Sequence, residues 1–339
     1  MMPEGCPVNS RTPLSDAVAP RRPTSMGRPR PLPRARWLAA IAAAVLLVGA
    51  AVGLQAARGA LPWPPGAAST SFGALPQPRL APPDESVGAA PGQPLPYFGP
   101  AALTVTARVP ALPARLPVWR FEVPSASALD RLAAGHQGRA IRPADPNYRE
   151  PLIFIDSRTP APAGAGPAAD VARPAADDFL RQRGLTPAWP FEAGVVPYGQ
   201  VTMVRYLRRF SAPGTPGADQ VDAHGAPAGA IVVVAANRSV LQATVPAPVA
   251  MAERSYPSAG AGAARAGALA AAPPAPGGLS PRPAVELSGA QLVYVAVAAG
   301  SHGYFEPALL FTGQFTVGAT RYEKRVLVPA LDAASLGRS

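Results

Sequence analysis

Hydrophobic positions along the chain follow three patterns. The first is an unbroken apolar run at residues 37–57, WLAAIAAAVLLVGAAVGLQAA, which holds twenty-one positions without a charge before Arg58. At 1.5 Å per residue such a helix is long enough to cross a hydrocarbon core of ~30 Å. Arg21, Arg22, Arg28, Arg30, Arg34 and Arg36 precede the run and only Arg58 follows closely, so the positive flank predicts a cytoplasmic N-terminus and an extracytoplasmic remainder. A cleavable signal peptide shares the basic leader, but its apolar core spans ~7–15 residues and ends in small residues, a pattern that Gln55 and Arg58 interrupt. Gly49 and Gly53 form a small-xxx-small pair, which offers either a helix-dimer face and a homodimer or simply two small residues in an alanine-rich helix.

The second pattern is period-two alternation, the signature of strands with one buried face. It occurs in LTVTARV (103–109) and LPVWRFEV (116–123), which read as neighbouring strands, while LIFIDS (152–157) is a third apolar run that reads as a buried strand. Further strand-like runs are VTMVRYLRRF (201–210), AIVVVAAN (230–237) and SVLQATV (239–245), the last two close enough to be a hairpin around Asn237 and Arg238. Together these three predict an antiparallel meander. AVELSGAQLVYVAVA (284–298), YFEPALLFTGQFTV (304–317) and RYEKRVLVPAL (321–331) predict a three-stranded C-terminal sheet.

The third pattern is helical and short. Ser125 caps a helix that Gly135 ends; Pro174 suits a first turn that runs to Gly184; an alanine-rich stretch follows Tyr256. The fold class expected is therefore α+β: one N-terminal transmembrane helix, then antiparallel-sheet modules with short helices, separated by Pro/Ala/Gly-rich linkers. The expected organisation is a basic cytoplasmic tail at 1–36, the membrane helix at 37–57, a proline-rich stalk at 58–100, an α+β module at 101–271, a linker at 272–283 and a C-terminal β segment at 284–331.

Composition changes this picture in two ways. With 46 Pro and 32 Gly in 339 residues, globular parts are expected between linkers, not as one continuous fold. The net charge of +11 would point to nucleic acid if it clustered on one element. Residues 1–36 carry seven Arg and two acids, which is +5, and leave +6 spread over the other 303 positions, so nucleic acid is not the expected partner. The single cysteine, Cys6, precedes the apolar run and leaves the rest of the chain without an internal disulfide.

Catalytic chemistry has few carriers. His136, His224 and His302 each stand near a glycine in a predicted turn, no pair has the i, i+4 spacing of a helical metal site, and neither a nucleophile elbow nor a phosphate or dinucleotide loop is present. Asp177 and Asp178 fit the first turn of a helix, where acids favour the dipole. Glu306 lies between aromatics in a strand-like run, as an outward-facing residue or a ligand contact. The expectation is no catalytic residue, no metal and no cofactor.

Four short patterns stand out: PVWRFEV from Pro117, DDFLRQRGL from Asp177 followed by MVRYLRRF, SYPSAGAGAARAGAL from Ser255, and QLVYVAVAAGSHGYFEPALLFTG from Gln291. With them the chain resembles bacterial membrane-anchored extracytoplasmic regulators of a cell-wall sensor kinase, of the Yyc type, and actinobacterial proteins of unknown function. The resemblance implies PepSY-like modules and a regulatory or binding role toward a membrane or envelope partner, with Trp119, Tyr304, Glu306 and Phe311 as candidate contacts. The alternatives are an envelope enzyme or maturation factor using carboxylates such as Asp156 or Glu306, and a small-ligand or peptide binder.

Overall fold

A computed structural model describes residues 71–80, 94–141, 150–157, 162–211, 217–270 and 282–337. Every described residue belongs to one compact unit within residues 69–339. In chain order its first elements are β1 (Leu95–Tyr97), β2 (Ala102–Val105), β3 (Arg115–Glu122), α1 (Ala126–Gly135), β4 (Arg139–Ile141), β5 (Leu152–Asp156), α2 (Ala169–Gln182), β6 (Phe191–Tyr198) and β7 (Val201–Phe210). They continue with β8 (Ala218–Val221), β9 (Gly229–Ala235), β10 (Val240–Pro246), β11 (Met251–Pro257), α3 (Ala261–Ala270), β12 (Ala284–Leu287), β13 (Gly289–Ala299), β14 (His302–Val317), β15 (Thr320–Pro329) and a 3₁₀ turn (Ala333–Ser335).

Local chemistry accounts for the helices. The Ser125 hydroxyl accepts a hydrogen bond from Ala128 N at 3.3 Å and caps α1, which buries Leu129 and Ala133 four residues apart. α2 begins five residues before the expected Pro174, so that Pro174 lies inside the helix and Asp177 and Asp178 stand past its first turn. The proline removes one backbone hydrogen bond, but the stripe Ala172, Ala176 and Leu180 is fully buried and holds the helix on the sheet.

Thirteen strands join in one sheet of order β1-β15-β14-β13-β8-β7-β9-β10-β5-β4, with β3 on β14, β11 on β3 and β6 on β7. β7, β9 and β10 form the expected antiparallel meander, with Met203 opposite Val233 and Ala243 opposite Val232. β9 and β10 turn at Asn237 and Arg238, where Arg238 takes φ 68° and the Asn237 side chain accepts from Ser239 N. β13, β14 and β15 form the expected antiparallel trio.

Several expectations need correction. The separate antiparallel modules of PepSY-like kind are replaced by a mixed sheet, with 50 % strand against 16 % helix among the described residues, because β13 pairs in parallel with β8 and β14 pairs antiparallel with β3, which sews the C-terminal block into the preceding one. Among the described residues no helix is long and apolar enough to cross a membrane, so the fold gives no support to the N-terminal transmembrane helix; the apolar run 37–57, with Gly49 and Gly53, lies outside the described residues. β2 does not neighbour β3. It pairs in parallel with β12 in a two-stranded sheet, and β3 lies between β11 and β14.

The stretch 58–100 is not a free stalk in its described parts. Leu75 is buried and forms a parallel bridge with Leu336, and β1 pairs in parallel with β15. Proline stops a segment from entering the middle of a sheet but not from lying along its edge, and Leu95–Tyr97 does so with Pro96 at its centre.

The core falls into neighbouring clusters. Under α1 and α2 lie Ile153, Ile155, Val204, Tyr206, Val232 and Val234. Beneath α3 and the small sheet lie Leu116, Val118, Leu287, Leu309 and Phe311. Phe121, Phe210, Tyr294 and Phe305 fill the region between. The small sheet approaches β14 through Gly313, where an added Cβ would stand 2.2 Å from the Glu286 carbonyl oxygen. Gly313→Ala is expected to lift β12 from β14 and to destabilise the fold by about 1–3 kcal/mol, read as a lower urea midpoint at unchanged slope.

Candidate functional site

β7 organises the chemistry because its two faces meet different surroundings. Thr202, Val204, Tyr206, Arg208 and Phe210 are buried on the helix-covered side, while Val201, Met203, Arg205, Leu207 and Arg209 are half-buried on the other. Tyr206 donates its hydroxyl to Asp177 of α2 at 2.6 Å, and burial followed by that bond pushes its pKa above the ordinary tyrosine range. Asp177 is thereby accounted for as a structural partner of the sheet.

Further along the same side, Arg208 donates from Nη1 to Glu150 at 3.0 Å, and the Gln220 side-chain amide donates to the other oxygen of that carboxylate. The guanidinium lies 4.5 Å from the Trp189 ring centre and 5.1 Å from that of Phe305. A cavity of about 340 Å³ opens beside it between residues 184–189 and 245–251. Leu185, Pro187, Trp189, Val245, Val249 and Met251 make its lining chiefly apolar, and Thr186 contributes a hydroxyl. Glu150 neutralises the cation in its wall, so the cavity suits an uncharged apolar group better than an anion.

The four candidate contacts chosen from sequence all lie in or against the interior. Trp119 of β3 is half-buried, 4.6 Å from the Phe210 ring and 5.0 Å from Tyr294. Tyr304 is 7 % exposed and stands edge-on to Phe72 at 6.0 Å. Phe311 is fully buried in the cluster under α3. Glu306 is 0 % exposed, not the outward-facing strand residue that alternation suggests, and neither of its carboxylate oxygens has a hydrogen-bond partner. β14 is covered on both sides along residues 303–311, so it offers no solvent phase in which an acid could sit. Desolvation raises the Glu306 pKa well above the usual carboxylate value.

The histidines are dispersed. His136 Nδ1 is 2.6 Å from the Arg183 carbonyl, His224 meets the edge of the Phe98 ring, and His302 opens β14. Asp156 ends β5 on the surface. Among the described residues no cluster of three or more His, Cys, Asp or Glu is placed to hold a metal ion.

What sequence reasoning missed is the uncovered side of the sheet β6-β7-β9-β10-β5-β4. Across it run Val196, Met203, Val233, Gln242 and Asp156 in one row; Gly194, Arg205, Ile231, Thr244, Phe154 and Arg139 in the next, with the Arg139 guanidinium 4.5 Å from the Phe154 ring centre; and Glu192, Leu207, Leu152 and Ile141 beyond. The apolar members are half-buried, and α1 and α2 both pack on the opposite side. An antiparallel sheet that is solvated on one side alternates apolar with polar residues, whereas strands covered on both sides read as continuous apolar runs. LIFI and AIVVVA are runs of the second kind, and in VTMVRYLRRF the residues Val201, Met203 and Leu207 add apolar positions to the face that also carries Arg205 and Arg209. That was the available signal: these strands are written for two covers, and the described elements supply one.

Two measurements test these assignments. For Glu306 the folded pKa is raised, so the folded state holds a proton that the unfolded state releases; stability is greatest below the ordinary carboxylate value and falls as pH rises through the folded value. Glu306→Gln is expected to raise the melting temperature more at pH 8 than at pH 4, by at least about 2–4 °C, the change that 1 kcal/mol makes in a domain of this size. Arg208→Met leaves buried Glu150 without its cation and is expected to destabilise by about 3–5 kcal/mol in chemical unfolding.

No family model and no curated protein matches this chain. Among solved structures, an uncharacterised protein from Eubacterium rectale aligns over 67 % of this chain and 87 % of its own, with 8 % identity and a TM-score of 0.31. Nothing in these comparisons carries the resemblance to cell-wall kinase regulators or to PepSY-like modules.

Proposed function

We propose that this protein is a non-catalytic interaction module that modulates or scaffolds an envelope partner, and that the open face of β6-β7-β9-β10-β5-β4 is where the partner docks. The observation that carries the reading is the run of half-buried apolar side chains on that face, from Ile141 and Phe154 to Met203 and Val196, with no described element over it. Contiguous apolar surface on a folded protein marks a place of contact. The placement of the acids also favours binding over catalysis: Glu306 is sealed from solvent, and Glu150 is committed to Arg208 and Gln220. An extracytoplasmic location fits the six arginines that precede the apolar run 37–57 against the single Arg58 that follows it closely.

A second reading, a binder of small apolar ligands, is favoured by the cavity of about 340 Å³ beside Trp189. Ligand screening by thermal shift, repeated on Ala188→Trp to fill the cavity, separates it from the first.

The docking reading is tested in cells with a photo-crosslinking amino acid in place of Phe154, on the open face, or of Asp178, on α2. A reproducible partner is expected from position 154 alone, and Ile231→Lys should abolish it. Equal crosslinking from both positions, or none from either, would overturn the assignment.

A further inference from the structure

We propose that Arg205 makes the open face a receptor for an amphipathic helix of an acidic partner protein, one whose apolar stripe carries a carboxylate. This inference rests on the docking reading and adds the chemistry of the occupant.

Arg205 stands in the middle of the apolar rows, opposite Ile231 on β9 and Gly194 on β6. Its Nε is a buried atom without a hydrogen-bond partner. The Nε atoms of Arg208 and Arg209 also lack a hydrogen-bond partner, but the Arg209 guanidinium, four residues further along the same side, is ion-paired with Glu192 at 3.1 Å and Asp219 at 3.1 Å. Among the described residues Arg205 has no such carboxylate. Nor is the space beside it filled, since a Cβ added at Gly194 would meet nothing within 4 Å. An Nε–H buried among aliphatic side chains next to an open gap has lost its water without a compensating partner, and an incoming carboxylate supplies one through a charge-assisted hydrogen bond.

The dimensions select a helix. Six strands at ~4.8 Å spacing make a face about 24 Å wide, which a helix of about 16 residues spans. The molecule covers the opposite face with helices too, the 10 residues of α1 and the 14 of α2. A single added helix would complete a three-layer arrangement in which each sheet face is matched. Charge selects the sign. The 303 residues after position 36 carry +6, which opposes a second copy on this face and draws an acidic partner toward it.

The test uses the full-length protein and three fluorescein-labelled synthetic helices of 16 residues. They share a leucine stripe and differ at one central stripe position, which is Glu, Gln or Lys. Fluorescence anisotropy should give about tenfold tighter binding for the Glu peptide than for the Gln peptide, as expected for one charge-assisted bond, with the Lys peptide weakest. Arg205→Met should erase the difference between Glu and Gln peptides, and Arg205→Lys should restore part of it, with unchanged circular dichroism showing that both variants fold. Equal affinity of the Glu and Gln peptides for the wild type, or a preference that survives Arg205→Met, overturns the role of Arg205 while leaving the docking face standing. Failure of all three peptides to bind overturns helix docking itself, with the photo-crosslinking result deciding separately whether the face is used. Concentration-dependent dimerisation that the Glu peptide cannot compete would assign the face to a second copy and overturn the proposal.

Discussion

Arg208 sits where the two halves of the sheet meet, and its burial constrains what surrounds it. β7 brings the guanidinium inward, β8 contributes Gln220, the segment before β5 contributes Glu150, and β14 and the loop before β6 contribute the rings of Phe305 and Trp189. A charge in an interior is tolerable only when paired and hydrogen-bonded. The helix-covered half and the C-terminal half therefore cannot separate without stripping this cation of its partners, and the parallel pairing of β8 with β13 follows the same seam.

Glu306 shows the opposite arrangement. It lies in the same sheet on β14, fully enclosed, yet its carboxyl oxygens meet no hydrogen-bond partner. One buried acid is bound into the architecture and the other is held as a neutral carboxyl by desolvation. The first fixes how strands meet; the second is expected to make stability depend on pH.

Local structure was legible where local chemistry decides it. Ser125 and Gly135 mark α1, Asn237 and Arg238 mark a hairpin, and the strand-like run at residues 201–210 marks β7. Pairing was not legible in the same way. β2 leaves its sequence neighbour for β12, some 180 residues away as counted by the Thr106 to Glu286 hydrogen bond beside it, because alternation states which face is buried but not which strand lies alongside. Glu306 was misread for a related reason: in a strand covered on both sides, the parity rule has no solvent phase to report. The same rule, applied to the apolar runs LIFI and AIVVVA, holds the information about the open face, and that information needs the positions of α1 and α2 before it can be used.

The bridge between Leu75 and Leu336, reinforced by hydrogen bonds from Leu75 N to the Ser335 carbonyl at 3.0 Å and from Gly337 N to the Leu75 carbonyl at 2.7 Å, brings the two ends of the folded unit side by side. A short peptide would join them, and the tight turn at Gly318 between β14 and β15 offers an exposed place to cut new termini. The unit is thus built as a nearly closed loop of chain. A pull applied between residues 75 and 337 would load those few hydrogen bonds and the Leu75 contact directly, leaving the sheet behind them unstretched until the clasp gives way.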